Sequence, residues 1–203
     1  MRNSLYRFVF ISILFLCGCH TTPSVQLCAP EIPVEIFKSA DIVFRLGRTI
    51  ESDLIASSGN DTTHYSHVGV IINRNGNLSV VHIEPTPNRE DDIIKEETLQ
   101  DFFSSDKSLA GCVVRMEKLT LEERNIVQEN ALHLLDTNVK FDHDYCLSDS
   151  HAMYCTELVE HIFSLTGNSL SQGRTYKLPF LQEPVILPSD IMQNSNLEVV
   201  WSY

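Results

Sequence analysis

Two apolar runs, Val68 to Ile72 and Leu78 to Glu84, flank the turn Asn73-Arg74-Asn75-Gly76-Asn77. No other stretch constrains the fold so much. Asn75-Gly76 tolerates the positive φ angles of a tight hairpin turn, and the flanking runs carry β-branched residues. An isolated hairpin is marginal in water, so more strands or helices must cover it. Asp41 to Arg45, Cys112 to Met116 and Leu197 to Trp201 read as further strands. Ile94 to Phe103 reads as a short helix. Thr120-Leu121-Glu122-Glu123 forms a capping box that opens a helix to about Leu135. Another helix begins near Cys155, carries the apolar stripe Leu158, Val159, Ile162, Phe163, Leu165, and stops before Gly167. Ser57 to Thr63 reads as loop, and Phe141 to Tyr145 as an aromatic–acidic loop or edge. The expected class is α+β, an antiparallel sheet with helices packed against it.

The N-terminus carries an export signal. Arg2 and Arg7 precede the apolar run Phe8 to Leu16, which is too short to span a bilayer. Leu16-Cys17-Gly18-Cys19 then matches a lipobox, which makes residues 1–18 a lipoprotein signal peptide and Cys19 the lipidated first residue. Acyl chains on Cys19 would give stable anchoring. His20 follows, not Asp, so a Gram-negative host would place the protein at the outer membrane, facing the periplasm. Residues 19–37, with Pro23, Pro30 and Pro33, form the lipidated N-terminus and tether, and residues 38–203 the domain. Loss of the leader leaves 13 basic against 27 acidic residues, a net of −14. That excludes nucleic acid and anionic lipid surfaces as partners, since both demand basic patches.

Four cysteines remain in the body of the chain, Cys28, Cys112, Cys146 and Cys155, without zinc-type spacing. Cys155 opens a helix in Tyr154-Cys155-Thr156-Glu157-Leu158-Val159. Unpaired N–H groups and aligned peptide dipoles there favour the thiolate. His67 sits at the mouth of an apolar strand, on one face with Gly69 and Ile71, and Gly69 clears space beside the imidazole. Brought together, His67 and Cys155 would form the thiolate–imidazolium pair of a cysteine hydrolase. Glu84, at the end of the returning strand, would orient the ring, with His82 as its rival. His64 and His67 could chelate a metal only in a helix, and none is expected there, so no metal and no cofactor is expected.

Asp41-Ile42-Val43-Phe44, Ser66-His67-Val68-Gly69, Ile83-Glu84, Tyr154-Cys155-Thr156-Glu157-Leu158-Val159 and Leu187-Pro188-Ser189-Asp190-Ile191 resemble the YiiX/YebB group of circularly permuted, NlpC-type papain-like proteins. The histidine precedes the cysteine, as permutation requires. The resemblance implies a small barrel-like antiparallel sheet packed on the cysteine-bearing helix, and a Cys155–His67–Glu84 triad. It implies a thiol amidase or peptidase working through a thioester, with cell-wall peptides as the leading substrate. The alternatives are a lipid-directed acyltransferase or esterase of the lecithin retinol acyltransferase type, acting on acyl lipids, and a non-catalytic ligand-binding lipoprotein. Two positions depart from the group: Thr156 stands where Ser is common, and Asp142-His143-Asp144 adds a histidine.

Overall fold

The hairpin forms around Asn75 and Gly76, whose φ angles of 54° and 90° are those of a tight turn between antiparallel strands. A computed structural model describes residues 29–59, 64–86, 88–148 and 151–203. The expected leader, the lipid-bearing Cys19 and the tether as far as Cys28 lie outside the described residues. In chain order the elements are β1 (Ile42–Leu46), α1 (Ile50–Ser58), β2 (His67–Arg74), β3 (Asn77–His82), β4 (Lys95–Thr98), α2 (Leu99–Phe102), β5 (Ala110–Met116), α3 (Leu121–Thr137), β6 (Lys140–Phe141), β7 (Ala152–Met153), α4 (Cys155–Ser164), α5 (Pro188–Met192) and β8 (Leu197–Ser202). Six strands make one antiparallel sheet in the order β4-β3-β2-β1-β5-β8, and β6 and β7 form a separate parallel pair. No helix among the described residues is long and apolar enough to cross a membrane.

Two elements differ from expectation. Ile94 to Phe103 is not one helix: Lys95–Thr98 pairs with β3 as an edge strand, and only Leu99–Phe102 is helical. Side-chain exposure alternates along β4, and Thr98 then caps α2 by accepting from the Asp101 N–H. A free strand edge beside β3 outweighs the helix propensity of Lys and Glu. The second difference is α1, in a stretch without a helical apolar stripe. Its start is fixed by Thr49, whose hydroxyl accepts from the Ser52 N–H, and its Ile50 and Leu54 remain largely exposed.

The sheet buries both faces. Ile42, Phe44, Val68, Val70, Val81 and Val114 pack under Leu158, Val159, Ile162 and Phe163 of α4 and Val127 and Ala131 of α3. On the other face Val43, Ile71, Val80 and Val113 pack against Leu99, Phe102 and Phe103. The capping box of α3 is present, with Thr120 and Glu123 bonded reciprocally. Asp41, fully buried, locks β1 to α3 and β5 by accepting from Arg115 at 2.6 and 2.7 Å and pairing with Arg124 at 3.7 Å.

Gly69 leaves no room for a side chain against β3. A Cβ there would lie 2.7 Å from Val80 Cγ1 and 3.0 Å from both His82 Cβ and the Val81 carbonyl oxygen. Gly69→Ala is expected to cost about 1–3 kcal/mol through overpacking, read as a lowered urea midpoint. An unchanged midpoint would show that the hairpin is looser than described.

Candidate active site

Cys155 is the first residue of α4, preceded by Tyr154 in extended backbone. The start of the helix is held from the chain at 186: Thr156 Oγ1 donates to the Ile186 carbonyl at 2.6 Å, and the Ile186 N–H donates to Tyr154 Oη at 2.9 Å. The thiol faces the N–H groups of Val68, Thr156 and Cys155 itself. Val68 directly follows His67, so the sulfur lies against the mouth of β2.

His67 opens β2 opposite Arg45 of β1. Its ring stacks on Phe102, centroids 5.7 Å apart, and its Nε2 lies 2.9 Å from His82 Nδ1. Glu84 Oε2 is farther away, 3.9 Å from His67 Nε2. The Glu84 carboxylate instead accepts from Arg45 Nη2 and, at 2.6 Å, from Lys95 Nζ. Behind His82 stands Glu97. Its Oε1 is 2.9 Å from His82 Nε2, near enough for an ion pair but out of line for a hydrogen bond, and its Oε2 accepts from Lys107 at 2.7 Å. Arg45 completes the cluster by donating to the Phe102 carbonyl at 3.0 Å while lying over that ring at 4.5 Å.

Burial dominates the electrostatics of this cluster. It pushes the Cys155 thiol up to about 11, and the three N–H groups offset only part of that rise. Burial, then Arg45 and His82, hold the His67 imidazole well below its ordinary value. His82 is lowered for the same first reason, although Glu97 opposes it. Burial alone would raise Glu84, but His67, Arg45, His82 and Lys95 outweigh it and keep the carboxyl far below the usual range. Both shifts favour the uncharged thiol and the uncharged imidazole over the thiolate–imidazolium pair expected from sequence, because desolvation opposes either charge.

Two depressions meet at Cys155. One, the more polar of the two, is lined by Arg45, Arg48, Glu51, His67, Glu84, Asp106 and Lys107 together with apolar residues such as Ile55, Pro85 and Phe141. The other is almost wholly apolar and contains Leu54, Ile55, Leu178, Phe180, Leu181 and Val185. His67 lines the polar one alone; Cys155 lines both.

The structure thus brings His67, Glu84 and Cys155 to one depression, and places His82 in the direct hydrogen bond with the ring. Reasoning from sequence missed Arg45, Lys95 and Glu97. Lys95-Glu96-Glu97-Thr98 is polar throughout, so no local pattern marked it as a strand carrying Lys95 and Glu97 on one face. His64 is exposed and stands outside the cluster. His143 lies elsewhere, 2.6 Å from Asp92 Oδ2. Cys112, Cys146 and Cys155 are all free thiols.

The family model of permuted papain-like amidase enzymes, the YaeF/YiiX family, matches residues 37–201. Among solved structures, the chain is similar to that of the metalloprotein YiiX from Escherichia coli O157:H7, with a TM-score of 0.65 and 20% identity over 82% of this chain and 97% of that one. No curated protein matches. Among the described residues, ligand atoms of His67, His82 and Glu84 all lie within 4.8 Å of one another, the spacing of a metal site. Arg45 and Lys95 already neutralise the Glu84 carboxylate. A divalent cation would have to displace both, so this arrangement does not fit one.

Two pH effects follow. Alkylation of Cys155 by iodoacetamide, followed by peptide mass spectrometry, is expected to rise about tenfold per pH unit from 6 to 10, because a thiol near 11 supplies more thiolate at each step. A plateau from pH 6 to 9 would mean an ion-paired thiolate. Stability moves in the same direction. His67 and His82 are lowered in the fold, so the unfolded chain takes up protons first as pH drops below about 6.5. Their contribution is complete above that pH and is lost on acidification, and the lowered Glu84 and Glu97 add a second loss below about 4.3. The urea midpoint should fall from pH 7.5 to 5 and fall again toward pH 3. A midpoint flat over that span contradicts the buried cluster.

Proposed function

The chain belongs to the YaeF/YiiX family of permuted papain-like amidases, and from that premise we propose that its thiol hydrolase chemistry runs through Cys155 as nucleophile and His67 as general base. The supporting observation is that the first residue of α4 and the first residue of β2 line one depression. His67 Nε2 is committed to His82 Nδ1, which leaves Nδ1 for the thiol. In the tautomer this requires, Nε2–H donates to His82, and His82 carries its own proton toward Glu97.

Attack then proceeds from the neutral pair. As the sulfur–carbon bond forms, the Cys155 proton passes to His67 Nδ1, and the Cys155 N–H stabilises the oxyanion. The imidazolium is a new buried charge. Glu84, 3.9 Å away and already ionised, favours it. In this scheme His82 is the hydrogen-bonded orienter and Glu84 the charge partner of His67. His67 returns the proton to the departing amine or alcohol, and water then cleaves the thioester. Cell-wall peptides and acyl lipids both present such a carbonyl. The lipid on Cys19 would hold the enzyme at the periplasmic face of the outer membrane.

Kinetics of four variants on amide substrates test the scheme. Cys155→Ala should abolish turnover, and His67→Ala should lower kcat by about 10²–10⁴. His82→Gln and Glu84→Gln should lower kcat by roughly tenfold or more with little change in KM, since both act on the charged transition state. Full activity in Cys155→Ala would remove the nucleophile.

A further inference from the structure

We infer that the proton acceptor is the buried pair His67–His82 acting as one base, and that Glu97 is the positioning residue that holds the charge on the second ring. This rests on the reading of Cys155 as nucleophile and His67 as the group that takes its proton.

Where a carboxylate orients the catalytic imidazole, the proton stays on the ring, because a carboxylate is far the weaker base. Here the group bonded to the first imidazole is a second imidazole, with His67 Nε2 2.9 Å from His82 Nδ1. Both rings start from the same ordinary value, about 6.5, so their surroundings decide which one carries the charge. His67 lies opposite Arg45 in the β1–β2 register, and Glu84 is 3.9 Å from its Nε2. His82 lies opposite Lys95 in the β3–β4 register, and Glu97, two residues on, shares that face. The far nitrogen of His82 is buried and has no hydrogen-bond partner among the described residues, yet it is 2.9 Å from Glu97 Oε1. An idle nitrogen so placed is costly in a neutral ring and becomes half of an ion pair in a cationic one. Burial lowers both rings. At His67, Arg45 and His82 add to that lowering, whereas at His82 Glu97 opposes it. His82 is the ring that is easier to charge.

The proton movements balance. As the sulfur–carbon bond forms, the Cys155 proton binds His67 Nδ1, and the Nε2 proton of His67 crosses to His82 Nδ1. His82 keeps its own Nε2 proton beside Glu97 and becomes the cation, and His67 is neutral again. Glu84 favours the charge on His67, and Glu97 draws it on to His82. Protonation of the leaving group reverses both transfers. Glu97 is itself fixed: Lys107 donates to its Oε2 at 2.7 Å, and Arg45 Nη1 lies 3.5 Å from its Oε1. Burial would raise its carboxyl, but His82 and then Lys107 outweigh that and bring it down to about 2, so it stays anionic. Arg45, Lys95 and Lys107 stand against Glu84 and Glu97, an excess of positive charge that keeps the pair uncharged before attack. The proton arrives only as the tetrahedral oxygen becomes negative. Phe102 covers both rings, its centroid 5.7 Å from that of His67 and 5.3 Å from that of His82.

The first test follows the histidine rings of the wild-type protein by nitrogen NMR as pH falls from about 8 to about 4, with His67→Gln and His82→Gln used to assign the signals. His82 should become doubly protonated while His67 stays neutral. Charge on His67 before His82 would overturn the pair. The second test measures the burst of nitrophenol released as p-nitrophenyl acetate acylates Cys155, over the same pH range. Glu97→Gln should slow acylation by roughly tenfold or more. It should also move the acid limb of the rate to lower pH by about one unit or more, because an anion beside His82 is gone. A purely structural Glu97 gives the opposite sign: water entering a loosened cluster would carry both rings up toward about 6.5, and the limb with them. A limb that rises or stays in place in the folded variant overturns the role of Glu97. Wild-type protein whose Cys155 is not acylated overturns the thiol reading beneath this inference, whereas acylation with the proton seated on His67 overturns the pair and leaves that reading standing.

Discussion

The register of β1, β2 and β3 is the constraint on which the site depends. Arg45 opposes His67, and Gly69 lies against His82 closely enough that no Cβ fits between them. This register places Arg45, His67, His82 and Glu84 on the face covered by Phe102. Val68, one residue on, turns to the other face, under α4. The backbone N–H of Val68 meets the Cys155 sulfur. Cys155 and His67 thus come from opposite faces of the sheet and line one depression at the start of β2. A slip of one residue would exchange the faces, bury Val68 among charges and point His67 into the apolar core.

Within that frame, burial outweighs the helix start. A thiol moved from 9.0 to about 11 has lost roughly 2–3 kcal/mol of preference for its anion. A helix N-terminus at a partly exposed site supplies about 0.3–1 kcal/mol. The same burial strengthens the attraction between Glu84 and an imidazolium, because little solvent screens it. The cluster therefore stores its carboxylate charge at rest, shared with Arg45 and Lys95. That charge has its largest effect when His67 becomes cationic. Preorganised charge of this kind favours the transition state over the ground state.

Much of this was legible in the sequence, and the limits have physical causes. The hairpin, the α3 capping box and α4 are local signals, written in turn chemistry, caps and apolar spacing, and they appear where expected. Cys155 and His67 stood out because each lies at the boundary of such an element. β4 did not, because Lys95-Glu96-Glu97-Thr98 is polar throughout and becomes a strand only when the edge of β3 is present. Arg45, Lys95 and Glu97 read as ordinary solvated charges for the same reason. Their partners are 39, 11 and 15 residues away in sequence, and only the strand register brings them into contact. Local pattern carries elements; it does not carry the pairing of charges between them.

The two sides of Cys155 are walled by different elements, the more polar one by the ends of β1 and β2 among others and the apolar one by α1 and the chain around 178–188. The charged residues on the polar side balance, with Arg45, Arg48 and Lys107 against Glu51, Glu84 and Asp106. A depression so balanced offers little net field to a charged substrate, and an acidic chain of net −12 does not attract anions from a distance. The apolar depression is walled by α1, by the segment 178–188 and by Tyr145, Tyr154 and Thr156 beside the α4 start. His67 is held by strand register and Cys155 by the α4 start, and Ile186 on the groove wall is itself bonded to that start through Tyr154 and Thr156, so the wall and the thiol are positioned together.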